Sequence, residues 1–154
     1  MPTQLALAKP LMAFFDGRSS RKPLPRVLLA EDDRVQRRRI ASVLADDGHE
    51  VVEAVDAFEL VELVKHTRSI DSGTPEFDVI VSDYRMPVVT GLDALAYLRV
   101  RDLRTPFILM TALDDPPVDT VARRLGAILV VEKPVQVDHL RIAIRRLLPA
   151  RRYS

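Results

Sequence analysis

Four apolar runs, each stopping at a residue able to do chemistry, constrain this chain more than any other feature. Val27-Leu28-Leu29-Ala30 is followed by Glu31 and Asp32. Phe77-Asp78-Val79-Ile80-Val81-Ser82 stops at Asp83, and Phe107-Ile108-Leu109-Met110 stops at Thr111. Ile128-Leu129-Val130-Val131 is followed, one residue on, by Lys133. In an open parallel α/β sheet, ligands bind at the carboxyl ends of the strands. Runs of this kind would bring residues far apart in sequence to one site.

The pattern predicts strands over 27–31, 50–54, 77–82, 106–111 and 127–131, and helices over 34–46, 56–68, 91–101, 116–125 and 136–148. Five strands alternating with five helices imply an α/β fold, with a parallel sheet covered on both faces. Such strands read as continuous apolar runs, as Val79-Ile80-Val81 does. The punctuation agrees. Asp33 can cap a helix beginning at Arg34, and Gly48 can close that helix in a left-handed conformation. Gly91 precedes the third helix and Gly126 the last strand, while Pro106 can open a strand without loss.

Residues 1–26, punctuated by Pro2, Pro10, Pro23 and Pro25, read as a tail in which Leu5–Phe15 can form a short interrupted helix. Residues 149–154 form a short C-terminal tail. There is no cysteine, so neither a disulfide framework nor a thiolate metal site can form. No apolar run approaches the roughly 20 residues that span a bilayer, and Met1–Phe15 lacks the basic start of a signal peptide. A cytoplasmic location is expected. The net charge of +1 conceals basic ends, +4 over 1–26 and +5 over 141–152, around a middle of −8. An acidic body suits a cation at its site. It lacks the broad basic footprint of a nucleic-acid binder, so no direct nucleic-acid contact is expected. The basic ends read as a solvated tail and a helix C-terminus that favours positive charge.

Three carboxylates from two strand ends (Glu31, Asp32 and Asp83), with one backbone carbonyl, would suit Mg²⁺, which prefers oxygen ligands in an octahedron. Phosphoryl transfer needs an in-line nucleophile, with donors and positive charge around the equatorial oxygens. Asp83 can be the nucleophile, the Thr111 hydroxyl can donate to one oxygen and the Lys133 ammonium can pair with another. Ala112 is small and leaves room beside Thr111. His49, His66 and His139 have no metal-ligand spacing and read as surface or packing residues.

VLLAEDD, SDYRMP with Gly91 eight residues after Asp83, PFILMTA and GAILVVEKP together resemble the receiver domain of two-component response regulators, the CheY-like fold, over residues 27–148. The resemblance implies a flavodoxin-like, doubly wound five-stranded sheet of order 2-1-3-4-5 with five helices. In the family an acidic pair stands sixteen residues before the glycine closing the first helix. Counted back from Gly48, it maps to Glu31 and Asp32. The switch hydroxyl precedes the lysine by 22 residues, as Thr111 precedes Lys133. By that resemblance Asp83 is the phosphoacceptor, Mg²⁺ is held by Glu31, Asp32, Asp83 and the backbone carbonyl of Arg85, and Lys133-Pro134 is a cis peptide. The phosphoryl donor would be a histidine kinase or histidine phosphotransfer protein, docking on the first helix, which carries Arg34, Arg37, Arg38 and Arg39.

The sequence departs from the family at Val130, where an aromatic commonly reports phosphorylation. The last strand is an apolar edge, which either recruits a partner or is covered by neighbouring helices. Homodimerisation through the fourth helix, last strand and fifth helix is one expected contact. The loop Ser69–Glu76 is longer than usual, and Arg85 and Leu113 occupy positions that modulate acyl-phosphate hydrolysis in the family. Since 149–154 leaves no room for an output module, signalling is expected through a downstream protein target or a phosphorelay, not through enzymatic turnover. A haloacid dehalogenase phosphatase would need an acid two residues after its nucleophile, where this chain has Arg85. A partner-binding module without phosphate chemistry, and a receiver excised from a longer protein, remain as alternatives.

Overall fold

A computed structural model describes residues 24–67, 77–101 and 103–148. In chain order the elements are β1 (Arg26–Ala30), α1 (Arg34–Asp46), β2 (Glu50–Ala54), α2 (Ala57–Thr67), β3 (Val79–Asp83), α3 (Gly91–Val100), β4 (Phe107–Thr111), α4 (Asp119–Arg124), β5 (Ala127–Glu132) and α5 (Val137–Leu147). All five strands are parallel, in the order β2-β1-β3-β4-β5. The expected fold is therefore the observed one. The helix within Leu5–Phe15, the loop Ser69–Glu76 and the tail 149–154 lie outside the described residues.

Side chains alternate across a pleated strand, so a sheet covered on both faces must be apolar at every position. Val27, Leu29, Val79, Val81, Ile108 and Met110 pack on one face with Ile40 and Leu44 of α1 and Leu140 and Ile144 of α5. Leu28, Ala30, Ile80, Phe107 and Leu109 pack on the other with α2, α3 and Ala122 of α4. Residues 107–110 are all fully buried. Each such side chain contributes about 1.5–3 kcal/mol relative to exposure, so β4 is a central strand by necessity. The helices place buried residues at helical spacing, Arg37, Ile40, Ala41 and Leu44 in α1.

Several boundaries differ from expectation for local reasons. β3 begins at Val79 rather than 77 and includes Asp83. Just before it, the Asp78 carboxylate accepts the backbone N–H of Arg26 at 2.8 Å. β1 starts one residue earlier than expected and stops before Glu31. β4 starts at Phe107, because Pro106 has no N–H and supplies only a carbonyl, to Ile80 N–H at 2.9 Å. α4 is six residues long instead of ten, since Pro116 and Pro117 delay it and Val118 offers no side-chain cap. α2 begins one residue late because Asp56 caps it, accepting the Glu59 N–H at 2.7 Å. Helices α3 and α5 and strand β5 shift by a single residue at their ends.

Asp33 caps α1, accepting from Gln36 N–H at 2.9 Å. Gly48 follows that helix at φ +92°, a conformation glycine adopts without Cβ strain. Thr90 and Asp93 form a reciprocal capping box at the start of α3. That start is pressed against the strand end. A Cβ on Gly91 would collide with the Asp83 carbonyl oxygen and stand 2.7 Å from Ser82 Oγ. Of the apolar stretch in β5, Leu129 and Val131 pack on one face of the sheet and Val130 on the other, leaving Ile128 exposed. Helices thus cover the faces of this edge strand only in part. Gly91→Ala is expected to destabilise the fold by about 3 kcal/mol, because the obstructing atom is backbone and cannot yield. Urea unfolding of the variant beside the parent measures this as a lower midpoint at unchanged slope.

Candidate functional site

Parallel register brings the strand ends level. Ala30 lies opposite Ser82, Asp83 opposite Met110, and Thr111 opposite Glu132. The residues just past these positions, Glu31 and Lys133, therefore meet Asp83 at one edge of the sheet. Lys133 Nζ donates to Asp83 Oδ2 at 2.8 Å and to Glu31 Oε2 at 2.9 Å. Glu31 and Asp83 are buried, at 1% and 4% exposure, while Asp32 is exposed. One carboxylate oxygen from each of Glu31, Asp32 and Asp83 lies within 4.8 Å of the others. Thr111, at the end of β4, is buried, and its carbonyl accepts the Lys133 backbone N–H at 2.6 Å.

All five side chains proposed from sequence stand at this one end of the sheet. The Lys133-Pro134 peptide is cis, as the resemblance implied. The arginines of α1 divide. Arg34, Arg38 and Arg39 are exposed, but Arg37 is buried and does not belong to the basic face expected of the helix. Its Nη1 donates to the Glu31 carbonyl at 2.9 Å and its Nε to Glu53 Oε1 at 3.2 Å. It fixes the backbone that carries Glu31. His49 is buried and is a packing residue.

The electrostatics are those of an acidic cluster short of positive charge. Burial pushes the Glu31 carboxyl up to about 7, against the hydrogen bond from Lys133, with the Asp83 charge pushing the same way. Burial likewise raises Asp83, again opposed by Lys133. Burial disfavours the Lys133 ammonium, yet its hydrogen bonds to Asp83 and Glu31 win and raise its pKa. One cation thus serves two buried acids, with a third acid adjacent.

Two loops flank the site. In the β3–α3 loop, Tyr84 N–H donates to Met110 O at 2.7 Å and Gly91 N–H to Tyr84 O at 2.8 Å, so the chain after Asp83 is tied at both ends. Between them Val88 takes φ +69° as Val89 N–H bonds Pro87 O at 2.8 Å, a γ-turn pattern that is strained for a β-branched residue. In the β4–α4 loop, the Asp115 side chain is almost fully buried and receives both Arg85 and the Ala112 N–H. Sequence reasoning missed Asp115 and Arg37. Asp115 sits among Leu113-Asp114-Asp115-Pro116-Pro117, where nothing periodic distinguishes it from its neighbour. For Arg37 the signal existed, since it falls three residues before Ile40 on the buried stripe.

Comparison with known proteins gives one answer. The family profile of the response regulator receiver domain matches residues 27–145. Regulatory protein AtoC of Escherichia coli is 32% identical over 123 residues, covering 80% of this chain and 25% of that protein. Transcriptional regulatory protein PdtaR of Mycobacterium tuberculosis is 32% identical over 120 residues, covering 77% and 54%. The chain therefore spans between a quarter and about half the length of these curated relatives. Among solved structures, the receiver domain of the Francisella response regulator 1452 superposes with a TM-score of 0.70 at 30% identity, covering 80% of this chain and 95% of that one. Receivers of this family are signalling domains that bind Mg²⁺ at an acidic cluster. Among the described residues, no helix is long and apolar enough to cross a membrane. With its sheet order, its acidic cluster and a family profile spanning most of its length, the chain belongs to the response regulator receiver domains of two-component signalling.

Proposed function

We propose that this receiver accepts a phosphoryl group on Asp83 from the phosphohistidine of a histidine kinase or phosphotransfer protein, with Mg²⁺ as cofactor. The observation that carries the reading is the buried Asp83 carboxylate hydrogen-bonded at 2.8 Å to Lys133 beside two further acids. Mg²⁺ holds its oxygen ligands at about 2.0–2.1 Å, so they stand no more than about 4.2 Å apart. A cluster within 4.8 Å closes on such an ion with small side-chain rotations. Glu31, Asp32, Asp83 and the Arg85 carbonyl would hold it. When bound, it supplies positive charge to the transferring phosphoryl group.

The remaining chemistry belongs to the protein. Asp83 must be ionised to act as a nucleophile, and the hydrogen bond from Lys133 favours its charged form against the opposing effect of burial. One carboxylate oxygen forms the new P–O bond as the P–N bond to the donor imidazole breaks, and the imidazole nitrogen keeps the electron pair. Lys133 and the Thr111 hydroxyl would donate to phosphoryl oxygens. The product adds negative charge and acceptor oxygens where Lys133 now balances two acids. Thr111 and the loop after it would then shift, biasing α4 and β5. Val121 of α4, Ile128 of β5 and Ile142 of α5 are 48%, 48% and 49% exposed, apolar side chains that a downstream protein or a second copy could cover.

Incubation with acetyl phosphate and Mg²⁺ should add one phosphoryl group by intact mass, and Asp83→Ala should add none. Absence of any gain in the parent at saturating donor would refute the assignment. Lys133→Ala should lose most of the phosphorylation rate and, near pH 8, about 3 kcal/mol of stability, because two buried acids lose their cation. The Glu31 carboxyl binds its proton more tightly folded than unfolded. Its contribution is thus present below its ordinary 4.5 and lost as pH rises through about 7. The stability loss in Lys133→Ala should therefore shrink at pH 5, as read by urea unfolding at both pH values.

A further inference from the structure

The buried carboxylate of Asp115, beside the site, is a charged group that the chemistry above does not use. Its side chain is 1% exposed, whereas that of its partner Arg85 is 63% exposed. Oδ1 accepts from Arg85 Nε at 2.8 Å and pairs with Nη2 at 2.8 Å, and Oδ2 accepts the Ala112 N–H at 2.6 Å. Asp115 N–H in turn donates to the Ala112 carbonyl at 3.0 Å. Closing the turn 112–115 accounts for the two contacts with Ala112. It does not account for a guanidinium arriving from a loop 30 residues away. Arg85 stands two residues after Asp83, and Ala112 directly after Thr111. The pair therefore joins the loop that follows the acceptor to the loop that follows the hydroxyl.

We propose that Asp115 is a positioning residue that restrains phosphoryl acceptance: it holds Arg85 in a side-on ion pair, and acceptance requires Arg85 to leave it. The inference rests on the phosphoacceptor reading of Asp83. An incoming phosphoryl donor is anionic, and Asp115 weakens its attraction by neutralising a long cationic side chain two residues from the acceptor and holding it to one side. Arg85 is exposed and carries a planar fork of donors that matches phosphate oxygens as well as carboxylate ones. Exchange of Asp115 for a phosphoryl group on Asp83 would release the β4–α4 loop from the β3–α3 loop as the modification forms.

Asp115→Asn keeps an acceptor for the Ala112 N–H and removes the charge. At low ionic strength it should take phosphate from acetyl phosphate and Mg²⁺ about threefold faster than the parent or more, by intact-mass time course. The gain should shrink as salt rises to a few tenths molar. The double variant Asp115→Asn/Arg85→Gln should return to the parental rate or below. Arg85→Gln alone leaves the Asp115 charge uncompensated and should be about threefold slower, with salt restoring it. Circular dichroism confirms folding, and Arg85→Gln decides the matter if Asp115→Asn does not fold. Rates within about 1.5-fold of the parent for the single variants would overturn the proposal, as would a double variant as fast as Asp115→Asn. If the parent itself takes no phosphate, the phosphoacceptor reading fails and this proposal with it. If the parent is phosphorylated and the variants match it, the restraint alone fails.

Discussion

A single ammonium held between two buried acids organises this molecule. Lys133 bonds Asp83 and Glu31 at 2.8 and 2.9 Å, joining residues 50 and 102 positions apart in sequence. Neither acid is comfortable there, since burial raises the pKa of both. An apolar replacement of such a group is often as stable as the ion pair, so stability does not explain it. The arrangement makes sense as a site kept short of positive charge, which a divalent cation and the proposed chemistry at Asp83 would use. Arg37 supports it from below by fixing the Glu31 carbonyl, and β4, wholly buried, sets the level of Thr111.

The fold was largely legible in the sequence, and so was the chemical core of the site. Strands buried on both faces leave continuous apolar runs, and parallel strands put their carboxyl ends on one side. Asp83, Glu31, Thr111 and Lys133 could be placed together on those two facts. The family resemblance, counted back from Gly48, separated Glu31 and Asp32 from Asp33, which proves to be the helix cap. Boundaries were less legible where a side chain competes for backbone partners. Asp78 bonds Arg26 N–H ahead of β3, and two prolines shorten α4.

Long polar contacts were not legible at all. Arg37 looked like one of four surface arginines, and only its position on the buried stripe of α1 separates it from them. Asp115 looked like one of two acids before a proline pair. Its partner comes from a different loop, and no local pattern encodes a contact across 30 residues. Such pairs depend on how loops meet over the sheet, which is decided by packing after the strands are in place.

The contact at Gly91 has a mechanical consequence. The first residue of α3 abuts the Asp83 carbonyl, and Tyr84 is bonded on both sides, to Met110 and to Gly91. The backbone at Asp83 is therefore held between a helix start and a neighbouring strand. The loop after Thr111 is held instead largely by side chains, through Asp115 to Arg85 and Ala112, with the bond from Lys133 to the Thr111 carbonyl. On the proposed reading, a change at the Asp83 carboxylate would act first on the side held by side chains, towards β4, α4 and β5. The fold gives the site one side held by backbone packing and one held by side-chain pairs.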